Sequence, residues 1–545
     1  MITPGLPGFV RDRDNSAQDL LPAALEALAQ AFTVTAEHGM TAEHGAPGSG
    51  THRRTWLDTF DWRLYRAGLV LEFEQARRGG CLLLTSADGT PQAEQPVTGW
   101  PPRRPPLAQD LPAGQVRDRI MALTSPRALL PVVHAVSTVS VTRLLNADGK
   151  TVARLIAEQS TVTEPTTQGT TAELPLRLTI AEVRGYPAQA RRAAALLAAV
   201  PQAPLAGQSV FTAALAAVGR HPASYTNAVD AEITAQLPAS VAVARLLLRL
   251  LDTLELNVDG VLRDIDTEFL HDLRVAVRRT RSAIKLLGSV LPAELAEQYG
   301  PEFKWLGDLT TPTRDLDVHL LGFGALTEQL IAASPADLEP FRAFLARRRT
   351  REFRRLVTAM RSPRFRAITD DWRKALLEVR DAGAPQKRKS QKRLTASELA
   401  MSTTGRAFRR IAAQGGAITP ESAPESLHDL RKRCKELRYL LEFFAPLHDP
   451  VAYKKVVGDL KQLQDCLGDF QDSEVQREEI GALADAMLAE RAAPAATLLA
   501  MGEIAARLAV SQAEARADFS RRFARFAGPQ AQQRIRVLLT EPASR

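Results

Sequence analysis

Cysteine is nearly missing from this chain: Cys81, Cys434 and Cys466 are the three among 545 residues, and they show no metal-ligand spacing. A disulfide framework and a thiolate zinc site are therefore excluded. No run of about 18 apolar residues exists, and residues 1–8 begin no basic-then-apolar leader. The reading is a soluble, cytoplasmic, reduced protein with no membrane partner. Aromatic residues make up only 6% and few fall among the basic clusters, which argues against base stacking and hence against nucleic acid as the partner. Up to residue 229 the sole lysine is Lys150, so that part has few flexible point charges to offer a phosphate. Catalytic signatures are missing too: there is no Walker loop, Gly-x-Ser-x-Gly, paired-histidine zinc motif or dinucleotide fingerprint. His52, His134, His221, His319 and His448 stand alone. No cofactor and no resident metal are expected.

What remains is ordinary globular composition, 45% apolar and 24% charged, in a chain too long for one core. The excess of 70 basic over 62 acidic residues is uneven, with 21 against 19 up to residue 229 and so 49 against 43 beyond it. In the first 205 residues, short runs rich in Val, Thr and Leu (69–73, 81–85, 137–145, 152–158 and 174–183) predict antiparallel strands. Leu20–Ala31 and Ala188–Ala199 predict helices, and Pro91–Pro106 a proline-rich loop. Residues 206–229 read as a linker. From 230 to 528 the apolar period becomes helical, with prolines and glycines between the helices, Gln386–Arg393 as a charged hinge, and a long helix over Glu474–Phe526. Residues 529–545 read as a tail. The expected class is α+β, a β-rich domain followed by an all-helical one.

The helical part repeats itself at an offset of 157 residues. His271, Asp272, Leu273 and Arg274 fall on His428, Asp429, Leu430 and Arg431; Arg278 falls on Lys435 and Arg281 on Arg438. Farther on, Leu306, Asp308, Asp315 and Val318 meet Leu463, Asp465, Asp472 and Val475 without a gap. On a helix, His271, Arg274, Arg278, Arg281 and Lys285 share a band about 80° wide and about 21 Å long, separate from the aliphatic face of Leu273, Val277, Ile284 and Leu287. His428, Arg431, Lys435 and Arg438 repeat the line, with Lys432 beside it, while Glu442 replaces Lys285 and Gln471 replaces Arg314. The first stripe has no acid on its own face, so acids on a neighbouring helix or an anionic ligand must compensate it. Guanidinium forks and ammonium groups suit phosphate oxygens. Asp308, Asp315, Asp317, Asp465, Asp472 and Glu474 read either as salt-bridge partners orienting those arginines or as Mg²⁺ ligands beside phosphate. Arg347–Arg349, with Arg351, Arg354 and Arg355, reads as a groove extension or as a solvated face, as does Lys387–Arg393.

The motifs His271-Asp-Leu-Arg-x3-Arg-Arg-x-Arg, Arg314-Asp-x-Asp-Val and His428-Asp-Leu-Arg-x3-Lys-x2-Arg-Tyr resemble the CHAD domain, the conserved histidine α-helical domain. The resemblance implies two pseudo-symmetric four-helix bundles, at about 230–385 and 395–528, whose basic faces line a groove for inorganic polyphosphate. It also implies recruitment to polyphosphate granules and contact with their proteins. By that resemblance the binding residues are His271, Arg274, Arg278, Arg281, Lys285, Arg314, His428, Arg431, Lys432, Lys435 and Arg438. The first 200 residues resemble a CYTH domain on Asp58-Thr-Phe-Asp-x-Arg-Leu-x-x-Ala-Gly-Leu-x-Leu and Leu178–Tyr186. Only Glu182 matches that family's late strand, and Phe32–His38 is the nearest counterpart of its opening acidic signature. The resemblance therefore implies a degenerate, non-catalytic domain, with Arg143, Arg154 and Arg177 as an anion site or ordinary surface arginines. Metal-dependent triphosphatase action through this domain and nucleic-acid binding by the helices are the alternatives.

Overall fold

The computed structural model describes residues 8–10, 17–37, 49–76, 79–100, 102–166, 169–201, 208–382 and 394–539. The expected hinge at Gln386–Arg393 lies outside them. The chain divides into two compact units, residues 1–226 and 227–545.

In the first unit the strands are β1 (Gly8–Val10), β2 (Thr33–Glu37), β3 (Gly50–Asp58), β4 (Leu69–Gln75), β5 (Gly80–Ser86), β6 (Pro91–Val97), β7 (Leu130–Leu145), β8 (Thr151–Thr163), β9 (Thr171–Glu173) and β10 (Arg177–Glu182). They form one antiparallel sheet in the order β1-β10-β8-β7-β3-β4-β5-β6, with β2 on β7 and β9 on β8. Among the helices, α1 (Ala17–Ala29) and α4 (Pro187–Ala198) bury Leu20, Ala24, Leu28, Ala193 and Leu197 against Leu155, Leu178 and Ile180. The short α2 (Arg63–Arg66) and α3 (Gln115–Thr124) pack where Leu64, Val116 and Ile120 meet β4 and β5. Two stretches differ from expectation. Residues 91–97 of the proline-rich segment form β6, which pairs with β5 alone at the sheet edge, where missing proline N–H groups cost nothing. The stretch read as a linker contains α5 (Val210–Ala217), whose Phe211 and Leu215 pack with Trp56, Trp62 and Val133.

The second unit is helical: α6 (Ala239–Leu262), α7 (Thr267–Leu287), α8 (Ala293–Leu321), α9 (Phe323–Thr327), α10 (Glu339–Met360), α11 (Pro363–Ala382), α12 (Ala396–Gly416), α13 (Pro424–Phe443), α14 (Pro450–Ala489), α15 (Ala495–Ala527) and α16 (Pro529–Leu538). The duplication is visible in the helix starts. Residues 239, 267 and 293 begin α6, α7 and α8, and 396, 424 and 450 begin α12, α13 and α14, each 157 later. Helix α8 departs from the sequence reading because Pro301 and Pro312 lie inside it. Each proline removes one backbone bond, but the 29-residue helix continues through both, held by buried Tyr299, Phe303 and Leu306. The single helix expected over 474–526 is two, parted at 490–494, where Arg491 takes a left-handed φ of 53° and Pro494 precedes α15. The expected tail carries α16, which buries Ile535 and Leu538 in the core of the second half. A further apolar cluster joins the halves, Phe341, Phe344 and Leu345 of α10 meeting Met487, Met501 and Ile504 of α14 and α15. No helix among the described residues is long and apolar enough to cross a membrane.

Candidate functional site

Helices α7 and α13 each begin on a short loop and each bury an aliphatic face in their own half. Leu273, Val277 and Leu287 do so in α7; Leu430, Leu437 and Leu441 do so in α13. Asp266 caps α7, accepting from the N–H groups of Glu268 and Phe269 at 2.9 and 3.3 Å. Residues on and beside the stripes bring the halves together. Arg278 Nε donates to the Tyr439 hydroxyl at 2.6 Å, Arg279 pairs with Glu442 at 2.8 Å, and Lys285 pairs with Glu436 at 2.6 Å. The two stripes therefore face each other across the internal pseudo-dyad.

Along this seam the charge changes. Toward the end of α7, Glu436 and Glu442 neutralise Lys285 and Arg438, the latter at 2.7 Å. Near the middle, Arg278, Arg431 and Lys435 meet with less compensation. Burial, then the nearby Arg431 and Arg278, push the Lys435 ammonium down to about 8, with Asp472 pulling the other way. Burial and neighbouring cations both ease the loss of a lysine's proton, and the two arginines beside this one make the place favourable to an anion. Arg278 and Lys435 are equivalent positions of the repeat, as are Arg274 and Arg431, but the first half gives the cluster Arg278 alone and the second half gives it Arg431 and Lys435.

The two halves hold their arginines differently. Arg274 donates to the Gly307 carbonyl at 3.2 Å and to the Thr310 and Thr311 hydroxyls at 2.9 and 2.8 Å. Burial lowers its pKa, and Asp315 opposes that shift while its own carboxyl is raised by burial. At the equivalent positions 464, 467 and 468 stand Gln, Leu and Gly, and Arg431 instead pairs with Asp472 at 2.8 Å. Arg281 lies over Gly307, where a Cβ would come within 2.7 Å of its Nη1. Gln464 holds the matching place in the second half, and Arg438 turns to Glu442 there. Arg314 serves the start of α7, donating to the Thr267 carbonyl at 3.1 Å with Glu268 at 3.7 Å. Its counterpart Gln471 instead accepts a hydrogen bond from His428 Nδ1. His271 is half-buried, and exposed Lys432 pairs with Asp429 at 3.3 Å on its own helix.

Of the acidic residues, Asp472 and Asp315 act on stripe arginines. Asp308 faces Lys304 at 3.4 Å, and Asp317 faces Arg349 at 2.9 Å. No cluster of acids suited to a metal occurs among the described residues. Arg349 is no groove residue, because it clamps Asp317 and Asp264, the latter at 2.5 and 2.6 Å, between helix ends. Tyr439 and Glu436 were not among the sequence candidates. Tyr439 stands in the His428 motif itself, but its partner Arg278 lies 161 residues away, and only the folded chain brings them together.

In the first unit the strand register gathers Arg143, Arg154 and Arg177 on one sheet face with Arg54, Glu37, Glu72, Glu74 and Glu158. Glu182 pairs with Ala153 and so lies on the opposite face from Arg177. The Glu72-x-Glu74 alternation on β4 was the legible signal that pattern reading passed over. Here acids and bases are matched. Arg54 binds Glu158 and the Ser137 hydroxyl, His52 meets Glu74 at 2.8 Å, and Arg154 meets Glu37 at 3.2 Å.

Residues 245–481 match the family model of the CHAD domain, a span that includes both stripes, and the helical unit therefore carries a CHAD domain. Among solved structures, the CHAD domain from the plant Ricinus communis is similar at 24% identity, over 54% of this chain and 95% of that one, with a TM-score of 0.45. PptA from Streptomyces chartreusis is similar at 18% identity, over 52% of this chain and 99% of that one, with a TM-score of 0.41. A candidate adenylate cyclase from Bacillus halodurans is similar at 12% identity, over 39% and 98%, with a TM-score of 0.25. No curated protein matches the chain.

Proposed function

We propose that the CHAD domain of this chain binds inorganic polyphosphate along the seam between α7 and α13, without catalysis, and that this binding brings the protein to polyphosphate granules and their proteins. The observation that carries the reading is the approach of Arg278, Arg431 and Lys435 from the two halves, where burial and then the two arginines push Lys435 down to about 8. A phosphate chain supplies repeated oxygens to guanidinium forks and ammonium points at once, so a line of such groups gains with each added phosphate. His428, Lys432 and Arg438 flank the cluster, while Arg274, Arg281 and Arg314 hold α7 and α8 in place around it.

The test is long-chain polyphosphate binding at several salt concentrations, comparing wild type with the Arg278→Ala/Arg431→Ala/Lys435→Ala variant. Tight, salt-weakened binding that collapses in the variant, with helicity unchanged, supports the reading. Equal binding by the variant sinks it. RNA that displaces polyphosphate at equal phosphate concentration would favour a general polyanion groove instead. The first unit is proposed to be non-catalytic, because its carboxylates are engaged by Arg54, His52 and Arg154 rather than left for metal. Phosphate release from tripolyphosphate with Mg²⁺ or Mn²⁺ would overturn that.

A further inference from the structure

A second basic feature lies outside the seam. The end of α7, one face of α12 and one face of α13 enclose a pocket of about 120 Å³. Thr403, Arg406 and Arg410 come from α12 at helical spacing, Arg433 and Glu436 from α13, and Lys285 from α7. Four cations surround one carboxylate, and Leu440 supplies part of an apolar wall that offers no competing polar group. Glu436 is already held by Lys285 at 2.6 Å, and Arg433 is aimed by its hydrogen bond to Gln414 Oε1 at 2.7 Å. Arg406 and Arg410, one turn apart and exposed, have no partner among the described residues. Two such guanidinium groups on adjacent turns repel each other unless an anion lies between them.

The pocket is not a by-product of the duplication. At the 157-residue offset, Arg406, Arg410 and Arg433 correspond to Arg249, Thr253 and Ala276, and the last two are buried. Its three arginines come from the second half alone, and the first half adds Lys285. We propose that this pocket binds a diphosphate group, either free pyrophosphate or the phosphate tail of a nucleoside diphosphate. The donors present, forked guanidinium groups with an ammonium and a hydroxyl, match clustered phosphoryl oxygens, and the net positive charge matches a compact polyanion. The space holds several waters, room for a group of one or two phosphates. This assignment does not depend on the seam reading, since the pocket residues other than Lys285 lie outside the stripes.

Calorimetric titration of the full chain with sodium pyrophosphate, and separately with ADP, tests it. The pocket variant is Arg406→Glu/Arg410→Glu, both exposed positions, and the control is the seam variant Arg431→Ala/Lys435→Ala. Binding of either probe that weakens roughly tenfold or more in the pocket variant, and less than about threefold in the control, supports the proposal. Which probe binds then identifies the source of the diphosphate. Recovery in Arg406→Lys/Arg410→Lys would confirm that charge is what the pocket supplies. No binding of either probe to wild type overturns the proposal, as does binding lost in the seam variant but kept in the pocket variant.

Discussion

On the proposed polyphosphate reading, Lys435 makes binding at the seam proton-linked. In the free protein its ammonium is held at about 8, against an ordinary 10.5, by burial and by Arg431 and Arg278. A polyanion laid across these groups supplies the missing negative charge and returns Lys435 toward its ordinary value. Free Lys435 is about 90% protonated at pH 7 and about 10% at pH 9, whereas bound Lys435 stays protonated throughout. Binding is therefore fully favoured below about pH 7 and progressively penalised as the pH rises through 8, because the proton must then be taken up on binding. With the two values given, affinity falls about tenfold between pH 7 and pH 9. The interior phosphates of a long chain keep their charge over this range, so the slope belongs to the protein. Fluorescence anisotropy of labelled long-chain polyphosphate, titrated at constant salt from pH 7 to 9, measures it, and Lys435→Arg serves as the reference because arginine stays charged. Wild type and Lys435→Arg sharing one pH dependence would refute the reasoning, since Lys435 would then carry no linked proton.

Three further outcomes follow from the same geometry. Glu442→Lys, which sets a cation against half-buried Arg279 and beside Arg438, should lower urea stability by about 2–4 kcal/mol, and adding Arg279→Glu should recover part of it. Arg349→Ala leaves Asp317, 2% exposed, without its partner and should cost about 3–5 kcal/mol in the same assay, whereas exposed Arg347→Ala should change little. Buried His448 is pushed down to about 4 by desolvation against an ordinary 6.5, so the unfolded chain takes up a proton before the folded one does. Stability is then complete above pH 6.5 and falls by up to about 3 kcal/mol toward pH 4, a slope that His448→Gln should lessen in pH-resolved denaturation.

Much of the helical unit could be read in advance because its information is local and doubled. Apolar positions at helical spacing place α7 and α13, and the 157-residue offset reports the duplication before any contact is known. What escaped depends on partners distant in sequence. Pro301 and Pro312 read as breaks, yet α8 passes through them because Tyr299 and Phe303 are anchored in a core built by other helices. The 80° basic band told which residues share a face but not what lies opposite. Opposite it stands α13, whose Tyr439, Glu436 and Glu442 divide the stripe into a neutralised end and a crowded middle. Likewise Arg54, Glu72 and Glu158 lie on three different strands, and only the register of the sheet makes them one network.

The position that weakens the second stripe on paper gives the seam its specificity. Residues 279 and 436 are equivalent in the repeat, and so are 285 and 442. The contacts Arg279–Glu442 and Glu436–Lys285 are thus the two mates that a dyad requires, made with opposite charge order. If a first half met another first half, Arg279 would face Lys285 twice; if a second half met another second half, Glu436 would face Glu442 twice. Like charges set together at an interface cost several kcal/mol, whereas the mixed pairing satisfies both contacts. Glutamate rather than lysine at position 442 therefore does more than remove one cation from the basic line. It directs each half to its partner in the same chain, and it keeps the acids away from the middle of the seam, where the cations of Arg278, Arg431 and Lys435 remain concentrated.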